Sequence, residues 1–206
     1  NQLDEPLNDV TLDLAVSGDL KVIDNPPSCS FSPMSFATLK AVVKVCSTCN
    51  GSIYGSINYV MAGEEQSVVL LPIVVDVLDF VKPETITDAS FRTLWTLLEW
   101  ENKINVDVSR SKLSSCAQVF SFLCDKMKLA VTGQRPSDAD YLAGNLYAKT
   151  IFGEEVRVNV CLEKDVDGAD GGQGRITGHL RLRSRSQGVA VSLGDRILSL
   201  LKPFKA

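Results

Sequence analysis

The residue types that most often carry out chemistry are few in this sequence and poorly spaced for it. The single histidine, His179, would have to serve any Ser–His or Cys–His pair, and no acidic residue lies close to it in sequence. Cys46 and Cys49 form a lone CxxC motif at a predicted strand end, whereas zinc sites usually need a second ligand pair and redox motifs open a helix. The glycine-rich segment Gly168–Gly174 leads into a strand, unlike a phosphate-binding loop. We therefore expect no catalytic residue, no metal site and no cofactor.

A strand with alternating basic residues is the distinctive charge pattern of the chain. Its basic positions alternate with apolar ones and share one strand face: Arg175, His179, Arg181, Arg183 and Arg185. In the strand predicted before it, Arg157 faces outward between inward-facing valines. Guanidinium groups bind carboxylates and phosphates through paired hydrogen bonds. The pattern predicts either a recognition surface for such groups or a solvated outer face.

Composition narrows the class of protein. The 206 residues have a formal net charge of -4, and the pI is about 5.1, which argues against a general nucleic-acid binder. No apolar run approaches the roughly 18 residues that span a bilayer. Three of the six cysteines, Cys116, Cys124 and Cys161, lie in helical or strand patterns, so we expect free thiols and a reducing compartment.

The first part of the chain has the pattern of short β-strands. Apolar and polar residues alternate, between turn signals, in four segments: Val10–Val16, Phe36–Val45, Ile53–Val60 and Val68–Val81. This predicts an antiparallel, immunoglobulin-like sandwich over residues 1–82. The polar N-terminus has no initiating methionine, so we expect a fragment of a longer protein in which one or more strands precede Asn1. Pro83 marks the boundary to a second domain, residues 83–206.

The second part alternates between helical and strand periods. Helices are predicted at Ala89–Leu98, Ser111–Met127 and Gln187–Leu201, and strands at Trp100–Val108, Leu129–Thr132, Tyr141–Ile151, Glu155–Glu163 and Arg175–Arg185. Turns or loops are predicted at Gly133–Ser137 and Asp165–Gly174. Thr87 or Asp88 can cap the first helix. Helices on a mostly antiparallel sheet predict an α+β platform.

The two tryptophans fall on either side of a change in period. Phe91 and Trp95 belong to a helical apolar stripe, whereas Trp100 shares a strand face with Ile104 and Val106. The spacing therefore predicts that Trp100 lies in the sheet core.

Five stretches, spread over almost the whole chain, match one known family: FATLKAVVKV, TDASFRTLW, EWENK, NLYAKTIFGEE and TGHLRLRSRSQGVAVSLGD. The family they resemble is the appendage domain of the β subunit of coatomer, the COPI vesicle coat. The resemblance implies an immunoglobulin-like sandwich followed by a platform, and no enzymatic activity. More distantly, the chain resembles the appendages of the coatomer γ subunit and of clathrin adaptors. In the adaptors a platform tryptophan, four residues after another aromatic, forms a peptide pocket, and Phe91 and Trp95 match that arrangement.

The resemblance implies a non-enzymatic coat module in the cytoplasm, peripheral on Golgi membranes and COPI-coated vesicles. It would recruit accessory proteins through short peptide segments, or contact other coatomer subunits, in Golgi-to-ER and intra-Golgi transport. The predicted partner-binding residues are Trp95, Phe91, Arg157, Arg181 and Arg183. Contact with nucleic acid is not expected, and membrane contact is expected only through the coat. Two alternatives remain: a purely structural packing module in which Trp95 is core, and a secreted, disulfide-bonded adhesion domain.

Overall fold

The chain divides into two compact units, Asn1–Asp76 and Val77–Ala206. The structure is a computed structural model that describes residues 1–109, 113–133, 140–165 and 175–204. The division lies earlier than the boundary predicted before Pro83. Val77 and Leu78 are buried in the core of the second unit, and the strand Val81–Pro83 pairs with its sheet, so these residues fold with the second unit.

The first unit consists of antiparallel strands in two sheets. Its strands are β1 (Leu7–Ser17), β2 (Leu20–Asp24), β3 (Cys29–Phe31), β4 (Val42–Val45), β5 (Gly51–Met61), β6 (Glu64–Val69) and β7 (Ile73–Val75). The larger sheet has the order β3-β1-β5-β6, with β7 also on β5, and β2 pairs with β4 in the smaller one. The predicted fold class, a β sandwich followed by an α+β platform, is confirmed.

Two predicted strands of the first unit are shorter than their patterns indicate. Only Val42–Val45 of the predicted strand Phe36–Val45 pairs with a neighbour. The predicted strand Val68–Val81 is interrupted, because Pro72 lacks the N–H that a sheet ladder requires. The unit also leaves large apolar side chains in contact with solvent: Phe36, Val69 and Leu71 are 93%, 82% and 91% exposed.

Within its described residues, the second unit has a six-stranded antiparallel sheet and three α-helices. Its elements are β8 (Val81–Pro83), α1 (Asp88–Trp95), β9 (Trp100–Val108), α2 (Cys116–Met127), β10 (Ala130–Thr132), β11 (Tyr141–Thr150), β12 (Glu155–Asp165), β13 (Arg175–Ser184) and α3 (Gln187–Leu201). The sheet has the order β10-β11-β12-β13-β9, and β8 adds to β11. Alternate residues of β12, such as Val156, Val158 and Val160, are fully buried in a core shared with α2 and α3.

Local capping fixes where the helices begin. Ser115 accepts a hydrogen bond from the Gln118 N–H, so α2 begins at Cys116 rather than at the predicted Ser111. Ser186 caps α3 in the same way, and the bounds predicted for β9 and α3 are confirmed. Residues 166–174 of the predicted loop lie outside the described residues, as do residues 134–137 of the predicted turn. In the described part of the chain, no helix has the length and apolar character needed to cross a membrane.

Candidate functional site

The sheet of the second unit has one face lined with polar side chains, opposite the face that packs on α2 and α3. Strand register places these side chains in rows across the sheet. One row is Tyr147, Arg157, Arg183 and Glu101 on β11, β12, β13 and β9, and the next is Asn145, Asn159, Arg181 and Lys103. The predicted basic stripe therefore lies on a single face, interrupted by acidic and amide groups.

Helix α1 brings two aromatic rings against this polar face. Thr87 caps the helix by accepting a hydrogen bond from the Ser90 N–H at 3.1 Å, as predicted. Phe91 and Trp95, one helical turn apart, stack with ring centroids 5.4 Å apart. Phe91 is buried, whereas Trp95 is half-buried. Trp95 is therefore not pure core, because part of its ring remains accessible.

A groove of about 250 Å³ opens beside these rings on the polar face. It is lined by Phe91, Arg92, Trp95, Asn145, Asn159 and Arg181. The groove thus has aromatic rings on one side, two guanidinium groups, and the amide groups of Asn145 and Asn159 at its base. Such a lining can hold a small apolar side chain next to polar or charged groups.

Two arginines of β13 hold Trp95 in position. The Arg181 guanidinium binds both carboxylate oxygens of Glu101, at 3.0 and 2.9 Å, and Arg183 donates to the same carboxylate at 2.5 Å. The guanidinium carbons of Arg181 and Arg183 lie 5.8 and 5.0 Å from the centroid of the Trp95 ring. Arg183 also donates to the Trp95 carbonyl oxygen at 2.9 Å, near the C-terminal end of α1. The hydrogen bond from Arg181 is the main reason why the pKa of Glu101 lies below its ordinary value.

Arg157 lies beneath the aromatic pair rather than in the groove. Its side chain is 0% exposed, pairs with Glu155 at 2.9 Å, and lies near the rings of Phe91 and Tyr147. Its Nε and Nη1 atoms have no hydrogen-bond partner among the described residues. Arg157 is therefore placed to support Phe91 from below.

Comparison with known proteins agrees with this architecture. The family described as "Coatomer beta subunit appendage platform" matches residues 64–197, and the one described as "Coatomer beta C-terminal region" matches residues 1–61. This chain belongs to the coatomer β-subunit family. The predicted resemblance is confirmed.

Members of the coatomer β family from animals and plants align with almost the whole chain. Coatomer subunit beta of Rattus norvegicus is 41% identical over 204 residues, covering 96% of this chain and 21% of the relative. The protein of the same name from Drosophila melanogaster is 40% identical over 206 residues, covering 98% and 21%. Coatomer subunit beta-1 of Arabidopsis thaliana is 38% identical over 203 residues, covering 96% and 20%. The chain thus spans about a fifth of the length of these relatives.

The structure of this coatomer β-type platform brings the five predicted site residues together, but in two different positions. Trp95, Phe91 and Arg181 line the groove, whereas Arg157 and Arg183 support the aromatic rings. Sequence reasoning missed Asn145, Asn159 and Arg92. The strand alternation that placed Arg157 outward also places Asn159 outward, two residues later, so the amide floor could have been found from the same pattern.

The prediction for Trp100 was wrong. Its side chain is 43% exposed, although it shares a strand face with the buried residues Ile104 and Val106. Trp100 is the first residue of β9, and β9 ends the strand order of the described sheet. The two tryptophans of this platform therefore belong to opposite faces of the sheet, and only Trp95 belongs to the groove.

The other residues considered for chemistry lie apart from the groove lining. His179 pairs in register with Cys161 and Asn105 farther along the polar face, and Cys46 and Cys49 are exposed in the first unit. None of the six cysteines, all of which are described, forms a disulfide in the structure. Across the described ranges, no three His, Cys, Asp or Glu side chains are grouped so that they could hold a metal ion.

Tyr147 should ionise only at strongly alkaline pH. Its side chain is 2% exposed, and burial, followed by the charge of Glu155, raises its pKa to about 12 from 10.0. Because the pKa of Tyr147 is higher in the folded than in the unfolded state, the protonated side chain makes its full contribution to the free energy of unfolding below pH 10. That contribution is lost as the pH rises from 10 towards 12. We expect a tyrosinate absorbance step near pH 12 that Tyr147→Phe removes. An unchanged step in this variant would contradict the assignment.

Proposed function

We propose that this chain is a non-enzymatic appendage of the COPI coat that recruits accessory proteins, or contacts other coatomer subunits, through short peptide segments. It would act in the cytoplasm, at Golgi membranes and coated vesicles, in Golgi-to-ER and intra-Golgi transport. Membership of the coatomer β family supports the coat assignment. Its partners would be proteins, and the membrane would be reached only through the rest of the coat.

The observation that carries this proposal is the half-buried Trp95 beside the groove on the polar face. Its ring is stacked on Phe91 and faced by two guanidinium groups, so it is held in one orientation before a partner arrives. A rigid, partly exposed tryptophan is a typical binding hot spot, because covering it removes apolar area from water at little entropic cost. A groove of about 250 Å³ has room for one or two side chains of an extended segment.

Trp95→Ala should weaken binding of the protein to accessory and coat segments by about thirtyfold, the loss typical of a hot-spot tryptophan. The measurement is an affinity titration of purified wild type and variant against coatomer subunits and candidate accessory proteins. Trp100→Ala is the matched control, because Trp100 is exposed on the opposite face and should leave affinity unchanged. Equal affinity of Trp95→Ala and wild type for every partner would refute docking at this groove.

A second function, broad structural packing against other coat proteins, is favoured by one feature of the first unit. Phe36, Val69 and Leu71 are exposed there, beyond what a solvated surface normally carries. The same unit has an apolar groove of about 400 Å³ that includes Phe36, Leu39 and Ile57. Under this second function, the titration above would show coat association that does not depend on Trp95.

A further inference from the structure

Most arginines of the polar face are already paired with carboxylates of the same chain. Arg181 and Arg183 share Glu101, and Arg157 is paired with Glu155. Arg92 is different: it is exposed on α1, lines the groove, and has no ion pair or side-chain hydrogen bond within the part of the chain that the structure describes. Arg92 is therefore the groove-lining arginine whose guanidinium has no carboxylate partner among the described residues.

Arg92 and Trp95 are three residues apart on α1, which makes them neighbours on the helix surface. A ligand side chain covering Trp95 would thus lie beside the Arg92 guanidinium. On the sheet side, Asn159 donates to the Asn145 oxygen at 2.9 Å, which leaves the Asn145 amide nitrogen as a donor with no partner among the described residues. Such a donor suits a peptide carbonyl oxygen or a second carboxylate oxygen.

We propose that the groove is specific for an acidic peptide segment, and that Arg92 pairs with its carboxylate while an apolar side chain next to that carboxylate covers Trp95. This inference rests on the proposed function, because it names the chemistry of the partner that docks at Trp95. It also separates recognition from support: Arg181, Arg183 and Arg157 hold the aromatic rings, and Arg92 determines the preference for negative charge.

A carboxylate fits this groove better than a phosphorylated lipid headgroup. A headgroup with several phosphates would need several free guanidinium groups, but Glu101 already occupies the paired donors of Arg181 and one donor of Arg183. One exposed arginine beside an aromatic ring matches a single carboxylate on a peptide.

The test uses two synthetic peptides that differ only in charge, one with aspartates flanking a leucine and one with asparagines in their place. Binding is measured by calorimetric titration, which can be applied to every variant including Trp95→Ala. In a Trp100→Phe background, in which Trp95 is the remaining tryptophan, its fluorescence reports contact with the ring. We expect the aspartate peptide to bind about fivefold more tightly than its asparagine counterpart. Arg92→Glu should abolish or reverse this preference, and Arg92→Lys should keep most of it.

Arg175→Glu is the matched control, because Arg175 is an exposed arginine of the same sheet face that pairs with Asp107 and does not line the groove. It should leave the preference for the aspartate peptide unchanged.

If both peptides bind equally and Trp95→Ala abolishes both, the groove is a docking site without charge specificity, and the inference fails while the proposed function stands. If neither peptide binds in a Trp95-dependent way, the proposed function fails and the inference with it. Arg92-dependent binding to anionic phospholipid vesicles, without competition from the aspartate peptide, would assign the site to a membrane and overturn the inference.

Discussion

Replacing Arg157 with alanine should lower the free energy of unfolding of the second unit by about 3 kcal/mol. Arg157 is the largest fully buried side chain of the described residues, and its removal leaves a cavity beneath Phe91 and Tyr147. Glu155 also loses its ion-pair partner in a place where its side chain is mostly buried. Each of these changes removes support from the ring on which Trp95 stacks.

Arg157→Met should cost much less, at most about 1 kcal/mol. Methionine fills most of the same volume and packs well against aromatic rings. It also removes a buried charge whose Nε and Nη1 atoms have no partner among the described residues, and burying such groups without partners opposes folding. Both variants remove the ion pair with Glu155, but only alanine leaves a large cavity. The difference between their free energies of unfolding therefore gives the contribution of side-chain packing against the rings, separately from that of the ion pair.

Urea denaturation followed by tryptophan fluorescence measures both variants. Both tryptophans of the chain belong to the second unit, so this signal reports its unfolding rather than that of the first unit. Equal destabilisation by alanine and methionine would show that the pairing of Arg157 with Glu155 dominates, contrary to the expectation. We expect Arg157→Met to bind partners with nearly wild-type affinity, because Arg157 does not line the groove.

The spacing of apolar residues predicted the helices and strands of the second unit well. Each element has one side against the core, so apolar residues recur at the period of that element. Strand β12 alternates between Val156, Val158 and Val160 in the core and Arg157 and Asn159 on the polar face, so each residue type reports its side of the sheet. The helix α3 was predicted with its observed bounds, despite two internal glycines, because its apolar stripe packs on the same core. Long stretches matching the coatomer β family predicted the two-part architecture independently of these periods.

Features that depend on distant neighbours could not be predicted in the same way. Glu101 precedes Arg181 by 80 residues, so the sequence showed a basic stripe but not the carboxylate with which two of its arginines pair. Trp100 has the correct spacing for the core, but its burial depends on what covers the end of β9. Phe36 lies in an alternating segment that forms a strand only at Val42–Val45, because a β pattern becomes a strand only where a neighbour pairs with it. The carboxylate partners of the arginines could not be found from strand alternation. Arg92, one residue after Phe91, had no sequence pattern to distinguish it.

Gly178→Ala should lower the free energy of unfolding of the second unit by about 3 kcal/mol or more. The first sign should be a low yield of soluble, folded protein. Gly178 lies within β13, between Leu162 and Val106 on the neighbouring strands, and its φ angle is +149, which side chains other than glycine rarely adopt. A Cβ atom there would overlap the Cys161 carbonyl oxygen and lie 2.9 Å from the Leu162 Cα atom. Both contacts are with backbone of the central sheet, which cannot move without breaking its ladder.

The matched control is Gly188→Ala in the first turn of α3, where an added Cβ would meet only Ser186 Oγ at 3.8 Å. That substitution should be neutral or should stabilise the unit by up to about 0.5 kcal/mol, because alanine loses less backbone entropy in a helix than glycine. The same fluorescence-detected urea denaturation ranks the two variants. Comparable stability of Gly178→Ala and wild type would show that β13 can shift relative to β12. The Arg181 and Arg183 supports of Trp95 would then belong to a movable strand, which would weaken the argument that the groove is rigid before a partner binds.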